Sequence, residues 1–200
     1  MILNRFTKHD LMEFLNISFE AFTHLPDKDK ELYQAAGYLL PASDWGVGSF
    51  WGVEWGRVKE SQYKFTHDVR TYYDMLYGLA CILTSDDNKD DKILEIGQRK
   101  WYDVWKFYNF VIRSLNEITE IEAKTLSSDD LTQNEEDIFE PLQKFAHFGT
   151  LHGLLKGEMW KAKKVEVMPY EFVYTWLLYE KTYGKAEKKY MDYLNSKNRV

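Results

Sequence analysis

The sequence predicts an all-α protein: a single-domain helical bundle of about six helices, interrupted by a long Gly/Trp loop. Three observations carry this. Apolar residues recur three and four positions apart along most of the 200 residues. No segment sustains the period-2 alternation of a half-buried strand, and no Asn-Gly or Asp-Gly hairpin turn occurs. Pro26, Pro41 and Pro169 fall at the edges of the periodic segments, where proline ends or begins a helix.

The elements follow in order. Thr7 and Asp10 form a weak capping box, and Leu11, Phe14, Leu15 and Phe22 then recur with helical spacing. Pro26 breaks this helix and Asp27 can cap the next, which carries Leu32, Tyr33, Ala36, Leu39 and Leu40 on one face until Pro41. The Gly/Trp loop occupies residues 41–58. A third helix is predicted through Phe65, Val69, Tyr72, Leu76, Leu79 and Leu83. The polar turn TSDDNKDD leads into a long periodic segment from Lys92 to Leu126, expected to pair antiparallel with the third helix, with a kink or close contact at Gly97. An acidic linker follows, then a helix from Asp137 to Phe148 that Gly149 ends, then a short turn from Thr150 to Leu155 closed by Gly157. A brief extended piece is expected at Val165–Val167. Pro169 then opens a final helix with Phe172, Trp176, Tyr179 and Tyr183 on one face and Tyr190 and Leu194 continuing it; Gly184 is where it could break, and the last residues should fray. Residues 1–126 thus form a helical body with its aromatic loop, and residues 127–200 a C-terminal helical segment packed on it or acting as a docking arm.

Composition narrows function by exclusion. The formal net charge is −6, with acids and lysines intermixed, so the clustered basic footprint of a nucleic-acid binder is missing. A single cysteine, Cys81, cannot form an intrachain disulfide, which fits a reducing compartment. The segment MILNRFTKHD has no signal-peptide apolar core, and no apolar run approaches the ~18 residues of a membrane span. The expectation is a cytoplasmic protein with no membrane segment.

No catalytic set is recognisable. His147 and His152 are five apart, whereas a zinc helix wants the four-residue spacing of His-Glu-x-x-His, and Cys81 has no nearby Cys or His, so no metal and no cofactor is expected. Glu54 sits among Trp45, Trp51 and Trp55, where a carboxyl could act as a raised-pKa acid, but glycoside chemistry needs a second carboxylate and the sequence pairs none with it. The alternative for Glu54 is exposure to water or a partnership with Arg57. No nucleophile elbow, P-loop or dinucleotide fingerprint occurs.

The loop SDWGVGSFWGVEWGRV remains the most informative stretch. Its glycines permit close backbone approach, and its indoles supply apolar area. Exposed, Trp45, Phe50, Trp51 and Trp55 would make an apolar patch of several hundred Å2, which monomers rarely tolerate. Either the loop folds back on the helical body or a partner covers it. These four side chains are the candidate partner-binding residues, with Phe172, Trp176 and Tyr179 as a secondary interface.

Met168, Pro169, Tyr170, Glu171 and Phe172 form a Met-Pro-x-Glu-Phe helix start behind the short helix and Trp-containing connector LLKGEMWKAKKVEV. This stretch resembles the C-terminal part of small all-α proteins of tailed bacteriophages, notably tail assembly chaperones. The resemblance covers about a fifth of the chain. It implies a non-enzymatic assembly protein that binds apolar helical segments of a tape-measure protein or polymerises with tail subunits, or else a virion neck or adaptor component. The expected partner is therefore a protein or a second copy, in the host cytoplasm or the virion. Two other readings stand beside it: a small-molecule or carbohydrate binder that stacks ligands on the Trp loop with Glu54 and Asp44 as polar groups, and an inhibitor or immunity-type protein that docks on an enzyme.

Overall fold

The computed structural model describes residues 17–27, 29–30, 44–67, 71–85, 88–126 and 147–197. The fold is all-α. Among the described residues there is no strand, only the isolated antiparallel bridges Ser18–Lys100 and Glu54–Pro169. The chain divides into two compact units: residues up to Phe50 with Arg57–Asn116, and Trp51–Gly56 with Glu117 onward. The sequence reading put its boundary after Leu126 instead.

In the first unit, α1 (Phe19–Thr23) is capped by Ser18, whose Oγ accepts from the Ala21 amide at 3.2 Å. The backbone on either side of Ser18 bonds that of Arg99 and Trp101, and Phe22 stacks on Trp101 at 5.1 Å. α2 (Trp55–His67) and α3 (Tyr72–Leu83) are separated by Thr71, which forms a capping box with Asp74. The two helices approach closely at Gly78: a Cβ there would lie 2.6 Å from the Phe65 ring, and the Ser61 hydroxyl donates to the Gly78 carbonyl at 3.0 Å. Arg57 on α2 caps the end of α3. Its Nε–H donates to the Cys81 carbonyl at 3.3 Å, and its Nη2 donates to Ile82. α4 (Asp90–Gln98) packs on α3 across the short acidic connection, with Asp90 and Asp91 at its electropositive end. α5 (Trp101–Leu126) turns one apolar stripe inward, with Trp101, Val104, Phe107, Val111 and Leu115 buried.

The second unit is built on the C-terminal turns of α5, then α6 (His147–Leu154), a 3-10 turn at Met159–Lys161, α7 (Ala162–Glu166) and α8 (Tyr170–Lys197). α6 ends where Lys156 and Gly157 take positive φ (48° and 85°) and the Gly157 amide bonds the His152 carbonyl, the left-handed stop that favours glycine. Leu151, Leu154, Val165, Tyr170 and Val173 form this unit's apolar interior.

Several expectations need correction. The predicted third helix is two helices, because the Thr71–Asp74 box is a stronger local signal than the apolar period running across it. The Lys92–Leu126 segment breaks at Arg99–Lys100, where the backbone turns extended to bond Phe19, and not at Gly97. The loop ends early, since Trp55 already begins α2. Gly149 lies inside α6, and Thr150 with it. Val165 is helical, not extended, and Gly184 leaves α8 uninterrupted. The helix expected from Thr7, the run from Leu32 to Leu40 and most of Asp137–Phe148 lie outside the described residues.

Candidate docking surface

The Gly/Trp loop carries the leading candidate side chains. Trp55 is fully buried and Phe50 is 3% exposed. Neither can meet a partner, which corrects their assignment as partner-binding residues. For Trp55 the reason lies in a second stretch of chain. The Trp55 amide donates to the Met168 carbonyl at 2.7 Å, and the Tyr170 amide donates to the Val53 carbonyl at 2.8 Å, closing an antiparallel bridge between Glu54 and Pro169. Trp51, half-buried, meets the edges of Tyr170 and Tyr174 at 5.4 and 5.3 Å. Gly56 makes the approach possible: a Cβ there would stand 2.9 Å from Glu166 Cβ and 3.1 Å from its carbonyl oxygen. The Met-Pro-Tyr motif is thus the surface on which residues 51–56 fold. Tyr170 is locked further by its hydroxyl, which donates to Glu122 at 2.6 Å; burial and that carboxylate hold the phenol far above its ordinary pKa.

Trp45 belongs to the first unit. It stacks on Phe107 at 4.5 Å and 12°, with the Arg99 guanidinium over its ring at 4.1 Å and Phe50 edge-on to Phe110 nearby. Asp44, Trp45, Phe107 and Phe110, with Lys106 and Arg113, line a half-open cleft of about 360 Å3. Glu54 is not among its lining residues, so the expected combination of Glu54 with Asp44 is not assembled there.

The remaining chemistry-bearing residues point elsewhere. Among the described residues no group of His, Cys, Asp and Glu could hold a metal ion. His24 and His152 are exposed. Cys81 is buried in α3, and burial pushes its thiol well above the ordinary range, away from nucleophile chemistry. Arg57 donates from its guanidinium to the α3 carbonyls. Beside them Glu60 joins Lys89 at 3.2 Å and accepts from the Tyr77 hydroxyl at 3.1 Å, a charge pair that keeps the buried Lys89 satisfied.

The secondary candidates are the ones left open to solvent. α8 is held by the face that carries Tyr170, Val173 and Tyr174. The Tyr174 hydroxyl donates to Thr125 at 3.1 Å, and the Lys181 ammonium donates to the Thr125 carbonyl, completing the attachment to α5. The opposite face carries Phe172 (58% exposed), Tyr179 (62%), Tyr183 (54%), Tyr190 (60%) and Tyr193 (52%), with Trp176 half-buried between the first two. Every residue from Thr182 to Tyr193 is exposed. The periodicity of Phe172, Trp176, Tyr179 and Tyr183 was legible in the sequence; that this stripe faces outward was not, because an aromatic helical face reads equally as core. Trp160, 72% exposed and flanked by Lys161 and Lys164 over its ring, carried no sequence signal that set it apart.

Among the described residues no helix is long and apolar enough to cross a membrane. Compared with protein-family models, curated proteins and solved structures, the chain matches none of them.

Proposed function

We propose that this chain is a non-catalytic protein-interaction protein that docks through the aromatic stripe of α8. The observation that carries this is a row of five aromatic rings, each more than half exposed, on a helix that is exposed at every residue from Thr182 to Tyr193. Five such rings expose roughly 400–700 Å2, at or beyond the largest apolar patch of an ordinary monomer. The free segment from Thr182 to Lys197 is also near the length below which an isolated helix is marginal in water, so a covering partner would stabilise it. An assembly factor of tailed bacteriophages, acting in the host cytoplasm or the virion, is the setting to which the Met-Pro-x-Glu-Phe resemblance leads. The test is binding of the purified protein to itself and to the proteins encoded beside it, by mass photometry, against the double variant Tyr183→Glu/Tyr190→Glu. A complex lost in the variant, with the melting temperature within about 2 °C of wild type because these rings touch little, is the expected result. Absence of any complex, or equal binding by the variant, sinks the reading.

One observation favours a second reading. The cleft at Trp45 has an aromatic wall, two cations and one carboxylate, and its volume is that of a small-ligand site. A small-molecule binder would show saturable quenching of Trp45 fluorescence by a ligand that Trp45→Phe does not show.

A further inference from the structure

We infer that the occupant of the α8 stripe is the α8 stripe of a second copy, joined as a parallel two-stranded coiled coil; this rests on the interaction reading above. The spacing is the first argument. Phe172, Trp176, Tyr179, Tyr183, Ala186, Tyr190 and Tyr193 alternate in steps of four and three without a fault, and Lys197 continues the series. That is the seven-residue repeat of a coiled-coil seam, whose 3.5-residue period keeps one face turned to a partner helix. A helix buried against a globular body tolerates a broader stripe with the 3.6 period. Here the body takes Tyr170, Tyr174 and Lys181 on the side away from the seam, and buries Val173 at the seam's flank. From Tyr179 to Lys197 the seam residues are therefore exposed, with Trp176 half-buried before them, while the helix stays anchored.

Charge selects the orientation. With Trp176, Tyr183, Tyr190 and Lys197 at one core position and Phe172, Tyr179, Ala186 and Tyr193 at the other, the residues that flank the seam are Glu180, Glu187 and Leu194 on one side and Thr175, Thr182 and Lys189 on the other. In a parallel pair the flanks meet as Thr175 with Glu180, Thr182 with Glu187 and Lys189 with Leu194, and the one like-charge pair is Lys197 with its copy at the exposed end of the seam. An antiparallel pair brings like flanks together, so Glu180 of one copy faces Glu187 of the other, twice by symmetry. Flanking charges of this kind set coiled-coil orientation. Area is sufficient as well. Two stripes together bring on the order of 1,000 Å2 out of water, the threshold at which a specific interface becomes plausible.

The experiment uses the full chain. Sedimentation velocity across a dilution series is expected to give a reversible dimer, weakened at least tenfold in Tyr183→Ala/Tyr190→Ala, with melting equal to wild type at dilutions where both are monomers. Lys197→Cys reports orientation: a parallel pair sets the two new thiols opposite each other, and mild oxidation links the copies, while the buried Cys81 stays out of the reaction. A dimer that the tyrosine variants do not weaken, or one that Lys197→Cys fails to link, overturns the inference. A wild-type monomer that nonetheless binds a co-encoded protein through Tyr183 and Tyr190 overturns it while leaving the interaction reading intact. A monomer that binds nothing removes both.

Discussion

Arg57 makes the sharpest stability prediction. It reaches from α2 to the last turn of α3 and donates to the carbonyls of Cys81 and Ile82. The last four carbonyls of a helix have no partner within it. Thr84 serves Ala80 through its own amide, and Arg57 serves the next two. A charged donor to such an acceptor contributes about 1.5–3 kcal/mol, and a cation at a helix C-terminus adds a favourable dipole interaction. Arg57 is half-buried, so the low end applies to each bond, and the pair sums to about 3 kcal/mol. Arg57→Met keeps the apolar stem and removes both bonds. For a chain of this size that loss lowers the melting temperature by about 6–12 °C. Arg57→Lys offers one ammonium where two carbonyls wait, and should recover about half of the loss. Urea titration followed by tryptophan fluorescence and by far-UV circular dichroism measures both variants, and hydrogen exchange locates the effect in the last turn of α3. A loss under 0.5 kcal/mol for Arg57→Met, or unchanged exchange at Ile82–Thr84, would refute the capping argument.

Three further outcomes are expected. Gly56→Ala places a methyl against the Glu166 backbone and should destabilise the protein by about 1–3 kcal/mol, with Trp51 fluorescence shifting as residues 51–56 leave Met168–Tyr170; an unshifted spectrum in a stable variant would contradict the close approach. Burial, with Glu60 beside it, pushes the Tyr77 hydroxyl up to about 12. Its folded-state value lies above the unfolded one, so its contribution is complete below about pH 10 and is lost as pH rises toward 12; Tyr77→Phe should flatten that part of the alkaline stability curve, and an unchanged slope would show that Tyr77 is not responsible. Cys81 should react with an aromatic disulfide reagent at pH 8 only after unfolding, and a rapid native reaction would mean that α3 opens locally.

The helical periods of α5 and of α8, the opening of α8 at Pro169 and the left-handed stop at Gly157 were all legible in the chain. Each is a local property: side chains repeat with the helix turn, proline lacks an amide that the first turn does not need, and glycine accepts a positive φ. The capping box at Thr71 was equally local but hidden under an apolar period that ran straight across it.

What the amino-acid order determined by itself was an all-α chain whose surplus of aromatic side chains had to be covered. Which ones were covered was a tertiary matter. Phe50 is sealed beside Phe110, while Trp55 is sealed where residues 51–56 lie on Met168–Tyr170, because Gly56 lets two distant backbones touch. Phe172, Tyr179 and Tyr183 are left outside, although their spacing resembles that of a core helix. Water drives every large apolar ring toward some partner with nearly equal force, so sequence sets the demand for burial, and only the long-range fit of one surface to another decides where it is met.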